Sequence, residues 1–329
     1  MPFYEGKNVL VTGGTGMIGS HLAEMLVDQG AKVRITEHVN KASEIFSSDY
    51  LKKLEVVRAD LTKATDSELI TKGVDFVFQL GAVLTGVLGN FERPVQMFTP
   101  NVLIQTNMME AARKNDVERF LFTSSACIYS SEISLPFKEE DGMNGQPDKN
   151  NEAHAWAKRI GEIQAKYYSQ EYGINVGIVR PFNTYGPRDN FHPRTSHVIA
   201  SLIRKAEEKQ NPFKIWGNGQ STRDFVFVTD TARGMMEVLE KYPKTDPINI
   251  ATGRHISILD LVKLILKASD HKAEIVYEKD KPSGQKDRYG STEKAEKILG
   301  FRTQVSLEEG IEKTVKWFRN NRTRIKEYE

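Results

Sequence analysis

An α/β fold, a doubly wound parallel sheet carrying a smaller α/β lobe, is predicted by three features of this sequence. Short apolar runs rich in Val, Ile and Phe alternate with stretches of helical periodicity through the first half of the chain. A glycine-rich turn, Gly13-Gly14-Thr15-Gly16-Met17-Ile18-Gly19, lies between the first apolar run and the first helical stretch. An acid, Glu37, closes the next apolar run, 18 residues after Gly19.

The run Val9-Leu10-Val11 is long enough for a buried strand. From Ile18 onward Leu22, Met25 and Leu26 recur at helical spacing, and Gly30 ends that helix. Lys32-Val33-Arg34-Ile35-Thr36 is the second strand. Lacking Cβ atoms, the glycine loop bends sharply and lets a phosphate reach the backbone. N–H groups at the helix start, with the helix dipole behind them, then hold a pyrophosphate. Gly13, Gly16, Met17, Ile18 and Gly19 are the expected residues of that cradle. Glu37 stands where a dinucleotide fold places the acid that hydrogen-bonds an adenosine ribose, and its charge repels a 2′-phosphate. The expected domain is therefore Rossmann-type and the expected cofactor is NAD rather than NADP.

Leu54–Asp60 is a third strand, Val74–Leu80 a fourth, and Arg119–Ser125 a fifth that ends in three hydroxyl residues. A helix is expected near 100–114. Residues 131–150, polar and holding Pro136, Gly142, Gly145 and Pro147, read as a loop able to cover a site. The next helix spans about 151–172, with Ala153, Trp156, Ile160, Ile163 and Tyr167 as its apolar stripe. His154 and Lys158 are four apart and share a face pointing away from that stripe. A sixth strand, Ile174–Arg180, follows. After Pro187 come a basic helix, a short strand at Phe225–Val228, a helix over about 230–241, and then strands and helices at 248–250, 257–268, 273–277, 291–298 and 306–320. The expected Rossmann domain is 1–182 plus 225–246, and the second lobe is 183–224 plus 247–329.

The totals narrow the function. A chain of 329 residues is long enough for two lobes on a continuous core. Charged residues are 27% and nearly balanced, for a net charge of +2, with no long Lys/Arg run to bind nucleic acid. Cys127 is the sole cysteine, so no intramolecular disulfide is possible, which suits a reducing cytoplasm. The N-terminus lacks the pattern of a signal peptide, and no apolar run approaches membrane-span length, so a cytoplasmic protein without membrane partners is expected.

Several motifs together resemble the extended short-chain dehydrogenase/reductase family, in its nucleotide-sugar branch, over nearly the whole chain. They are the glycine loop, Asp60-Leu61, Gly81-Ala82, Ser124-Ser125, Lys158, Arg180–Pro187, and Gly217-Asn218-Gly219-Gln220-Ser221-Thr222-Arg223-Asp224-Phe225. Ser124–Tyr129 and Trp216–Gln220 with Arg223 are most similar to the GDP-mannose 3,5-epimerase branch. The resemblance implies an NAD-dependent epimerase acting through a transient 4-keto sugar, working as a homodimer paired through the helices near 100–114 and 153–171. It further implies cofactor contacts at Asp60, Leu61, Leu80, Gly81, Ala82, Asn101, Thr123, Lys158 and Pro181. Lys158 would hold the nicotinamide ribose, and Ser125 the sugar C4 oxygen.

The family's base for the C4 hydroxyl is a Tyr four residues before the Lys; here that residue is His154. Neutral imidazole accepts a proton near pH 7, and cationic neighbours keep it neutral. Dehydratases of the family carry an Asp-Glu pair where this chain has Ala126-Cys127, which argues against 4,6-dehydration. In the epimerase branch the matching Cys works with a Lys across the sugar, whose position here falls on His197, so the expected pair is Cys127 and His197. A 4-ketone acidifies the neighbouring C–H bonds, so a base and an acid on opposite faces can invert C3 or C5. Asn183, Trp216, Arg223 and Arg288 are the expected contacts to a GDP- or UDP-linked substrate, the arginines by planar charged donors. No metal ligand set is apparent. Two other readings stand: a dehydratase or 4-dehydrogenase with atypical acid/base residues, and a redox-silent NAD-binding regulatory protein.

Overall fold

The computed structural model describes residues 2–84, 92–278 and 286–322. Its main sheet grows from the alternation in the sequence. Strands β1 (Asn8–Thr12), β2 (Lys32–Glu37), β3 (Leu54–Arg58), β4 (Phe76–Gln79), β5 (Arg119–Thr123), β6 (Asn175–Pro181) and β11 (Ile248–Ile250) lie parallel in the order β11-β6-β5-β4-β1-β2-β3. The order reverses between β1 and β4, which opens a crevice at the carboxyl ends of those strands.

Helices cover both faces. On one face α1 (Met17–Asp28) and α8 (Val228–Lys241) bury Leu22, Leu26, Met235 and Leu239 against Val9, Val11 and Phe78. The other face carries α4 (Ala64–Thr71), α5 (Pro94–Lys114) and α6 (Glu152–Tyr172), packing Ile104, Met108 and Ala165 on Phe120, Phe122 and Val176. Two short helices, α2 (Ala42–Ile45) and α3 (Ser48–Leu51), join β2 to β3. A third apolar cluster lies in the smaller lobe, where α7 (Val198–Glu207), α9 (Ile258–Ala268) and α11 (Leu307–Asn320) enclose Ile203, Phe213, Leu261 and Phe318.

Four elements differ from the sequence reading. Helix α5 starts at Pro94 and runs through Pro100, because the Asn101 amide bonds the Met97 carbonyl and keeps the turn closed. Strand β11, expected in the second lobe, is an outer strand of the main sheet: Ile248 pairs with Val179 and Ile250 with Pro181. The helix α10 (Glu293–Leu299) also contributes Ala295 and Leu299 to the main core. Phe225–Phe227 (β10) pairs with β7 (Asn183–Tyr185) outside the main sheet, so the chain crosses between the lobes more often than two sequence boundaries allow.

The second-lobe strands are short. Beyond β8 (Phe213–Trp216), which pairs with β13 (Ile275–Glu278), three two-residue strands form one sheet: β9 (Thr222–Arg223) lies between β12 (Ile256–Ser257) and β14 (Asp287–Arg288). No described helix is long and apolar enough to cross a membrane.

Candidate active site

The glycine loop is built for close approach. Gly13 adopts a positive φ of 67° and donates its N–H to Thr36 Oγ1 at 2.9 Å, tying the loop to β2. A Cβ on Gly19 would overlap the Gly13 carbonyl, so only glycine lets α1 begin this near the turn. Gly16 caps α1 with an exposed backbone and no side-chain cap, and the first turn carries no acid, so Met17, Ile18 and Gly19 turn a bare helix start toward the crevice. Thr12 Oγ1 accepts the Leu80 and Gly81 N–H groups, both at 3.0 Å, and so fixes the two strand ends that flank the crevice.

Glu37 ends β2 half-buried, and its Oε2 accepts the Ala42 N–H at 2.9 Å, which orients the carboxylate and leaves its second oxygen for a ribose. Asp60 and Leu61 follow β3; Thr62 donates to Asp60 at 2.6 Å and holds that carboxyl below its usual range. Ala82 continues the β4 end, and next to it Asn101 clamps Val83 through both the N–H and the carbonyl, at 2.9 and 3.0 Å. Asn101 therefore shapes the crevice wall through its side chain. These residues fit a dinucleotide with a free ribose diol: an uncapped helix start, a glycine cradle and a carboxylate in register.

The catalytic candidates meet at the ends of β5 and β6. Thr123 ends β5, and its carbonyl takes the Lys158 ammonium at 2.7 Å, across from Pro181 at the end of β6. Lys158 is buried, and burial lowers its pKa to about 8. Ser125 starts a short 3₁₀ turn, accepting the Cys127 N–H at 3.2 Å. Cys127 is buried beside the Lys158 and Arg288 charges, and burial pushes its thiol up. His154, one turn before Lys158, is buried with Nδ1 unpartnered; burial, then the Lys158 and His197 charges, lower its pKa to about 3. His197 comes from a different lobe segment, the residue before α7. Its Nδ1 is 3.8 Å from Asp189 Oδ1, and that carboxylate raises its pKa. Thus Lys158 lies within electrostatic reach of both Cys127 and His154, and His197 within reach of His154.

The substrate candidates lie on the lobe side. The register of β9 and β14 sets Arg223 beside Arg288, doubling positive charge on one face. Burial and then Arg288 lower the Arg223 pKa to about 10, with the Asp148 and Asp287 carboxylates acting in the opposite direction. Asp148 Oδ2 faces Arg288 at 3.9 Å. Asn183 spends one amide proton on the Asp224 carbonyl at 2.7 Å, so it braces the β7–β10 junction. Trp216 is 44% exposed and is not a core residue.

Two features were not singled out from the sequence. Glu162, one turn after Lys158, forms a buried ion pair with Arg180 at 2.7 Å and accepts the Ser124 hydroxyl. Its spacing after His154 and Lys158 was the available signal. Asp189 is the other. Among the described residues no group of three His, Cys, Asp or Glu side chains is placed to hold a metal.

Comparison with known proteins agrees with this geometry. Residues 9–251 match the NAD dependent epimerase/dehydratase family. A GDP-L-fucose synthase of Sinorhizobium fredii is 31% identical over 98% of this chain and 99% of its own length. A protein of Methanocaldococcus jannaschii described as a putative UDP-glucose 4-epimerase is 32% identical over 95% of this chain and 99% of its own. The structure of a UDP-N-acetylglucosamine 4-epimerase from Methanobrevibacter ruminantium, in complex with UDP-N-acetylmuramic acid, superposes with a TM-score of 0.88 at 28% identity, covering 96% of this chain and 99% of that one. The chain belongs to the NAD-dependent epimerase/dehydratase family, enzymes of nucleotide-sugar chemistry.

Proposed function

We propose that the protein is a nucleotide-sugar epimerase that inverts C3 or C5 of the sugar beside a transient 4-ketone. The observation that carries this reading is the placement of Lys158, its ammonium on the carbonyl that ends β5, within electrostatic reach of the Cys127 thiol and the His154 ring, with the His197 ring in reach of His154. NAD, held by the glycine cradle and Glu37, would supply the hydride acceptor for the sugar C4–H. The side chains do the proton work. His154, neutral through the physiological range, takes the C4 hydroxyl proton, and Lys158 beside it disfavours the charged imidazolium. Ser125 holds the C4 oxygen. Cys127, kept as a thiol by burial, serves as the acid on one face of the sugar, and His197 as the base on the other.

Glu37 supports NAD over NADP, since a second negative charge beside it is unfavourable. The Arg223–Arg288 pair suits a diphosphate, to which the Asn183 amide can also donate, with Trp216 as a further substrate contact. We also propose a homodimer, paired through α5 and α6. The apolar stripe of α6 supports it: Ile163 is 44% and Tyr167 60% exposed, beside Leu103 of α5 at 43%.

The test is incubation of a panel of GDP- and UDP-sugars with the protein and NAD in D₂O, read by NMR and mass spectrometry. Deuterium at C3 or C5 with inversion is the expected result. C4 inversion without deuterium, or loss of water, would replace the proposal with a simple 4-epimerase or a dehydratase. An unchanged panel, with NAD bound, would favour the redox-silent protein.

A further inference from the structure

Asp189 is buried, its side chain 4% exposed, yet its Oδ2 has no hydrogen-bond partner among the described residues. Such a carboxylate is costly unless a cation or donor offsets it. The ring in reach is His197, with Nδ1 at 3.8 Å from Oδ1 and 57% of its side chain open. The loop between them holds that spacing. Asn190 donates its backbone N–H to Asp189 Oδ1 at 2.7 Å, and its amide reaches Thr195 Oγ1 at 2.9 Å. His192 donates its N–H to Asn190 Oδ1 at 3.0 Å. Phe191 is buried against Trp317 and Phe318, while Arg188 is fixed to Glu24 by two bonds of 2.7 and 3.0 Å. His197 does not use its ring to cap α7.

We propose that Asp189 is a positioning residue for His197: its buried carboxylate receives Nδ1–H and leaves Nε2 as the nitrogen that works on the sugar. The chemical step rests on the epimerase reading; the arrangement does not. In that step Nε2 takes the proton from C3 or C5, and the C–H electron pair moves toward the C4 oxygen. Cys127 Sγ–H then gives a proton to the opposite face. Water removes the proton from the imidazolium and restores the thiol. Asp189 faces the imidazolium throughout, and His154 also lies within electrostatic reach of the ring. Catalytic hydrogen bonds are often long without substrate and tighten in the complex, which suits the 3.8 Å spacing.

The experiment is NMR of protein labelled with ¹⁵N-histidine, the His197 signals being identified by their loss in His197→Gln. In the wild type, neutral His197 is expected to carry its proton on Nδ1. Asp189→Asn is expected to lower its pKa by about 1 unit or more and to shift the proton toward Nε2, with Asp189→Glu restoring both. In the deuterium wash-in assay the acid limb of Asp189→Asn moves to lower pH in step, with KM held. A wild-type ring protonated on Nε2, or a titration that Asp189→Asn leaves unmoved, overturns the proposal. The wild-type tautomer decides even where a variant fails to fold. Nδ1 protonation without deuterium exchange in any sugar would sink the epimerase reading and leave the Asp189–His197 pairing standing.

Discussion

At the scale of single residues, the question is what an imidazole does where the family resemblance implies a phenol. His154 is buried one turn from a lysine, and both facts keep it uncharged. His154→Ala is therefore expected to lower turnover by about 10²–10⁴-fold while NAD still binds, because a general base contributes on that order. His154→Tyr should retain part of the rate. Steady-state assays beside NAD titrations check this, and equal turnover in all three proteins would remove His154 from the chemistry. Lys158 sets the alkaline side. Its pKa is lowered to about 8, so its charge is present below that pH and lost above it. Turnover is expected to fall as pH rises through about 8, and a flat profile to pH 9.5 would contradict a role for the Lys158 charge. The acid limb belongs to His197, whose pKa is raised, and not to His154.

At the scale of elements, α6 is the instructive one. Its polar face, His154, Lys158, Arg159 and Glu162, is buried, and part of its apolar stripe faces outward. Each buried charge there has a partner: Arg159 donates to the Ile128, Gly145 and Asn144 carbonyls, and Glu162 pairs with Arg180. Arg180 in turn reaches the Tyr129 hydroxyl and the Glu139 carbonyl. The 131–150 segment is thereby fastened as a wall of the cleft: Phe137 also pairs with the backbone of Tyr289 and Ser291. Arg180→Met would leave the Glu162 carboxylate buried and unpaired, at a cost of about 3–5 kcal/mol. Thermal or denaturant unfolding would show it, and a loss under about 1 kcal/mol would mean that water reaches Glu162.

At the scale of the whole molecule, the exposed stripe on α6 calls for a partner. Ile163→Glu with Tyr167→Glu is expected to turn a dimer into a monomer by light scattering, with NAD affinity kept, since neither residue lines the crevice. A wild-type monomer would refute the dimer directly. The two lobes are braced by Asp224, which accepts the Thr252, Gly253 and Gly290 N–H groups at the root of the substrate side. The cleft is therefore framed by both lobes, with the cofactor crevice on one side and the paired arginines on the other.

Legibility followed distance along the chain. The strand–glycine turn–helix unit, Glu37 and the alternation of strands and helices were readable because each is set by neighbouring residues: backbone freedom at Gly13, helical spacing from Ile18, apolar runs for buried strands. The family motifs were readable for the same reason, as short words in order. The amphipathic reading of α6 also found its faces, since periodicity separates them; which face turned inward depended on Glu162 and Arg180 meeting across 18 residues. Tertiary closure alone decided that β11 joins the main sheet, that Arg223 stands beside Arg288, and that His197 comes within electrostatic reach of His154. Those are contacts between distant segments, and their pKa consequences come from burial, which no local pattern carries.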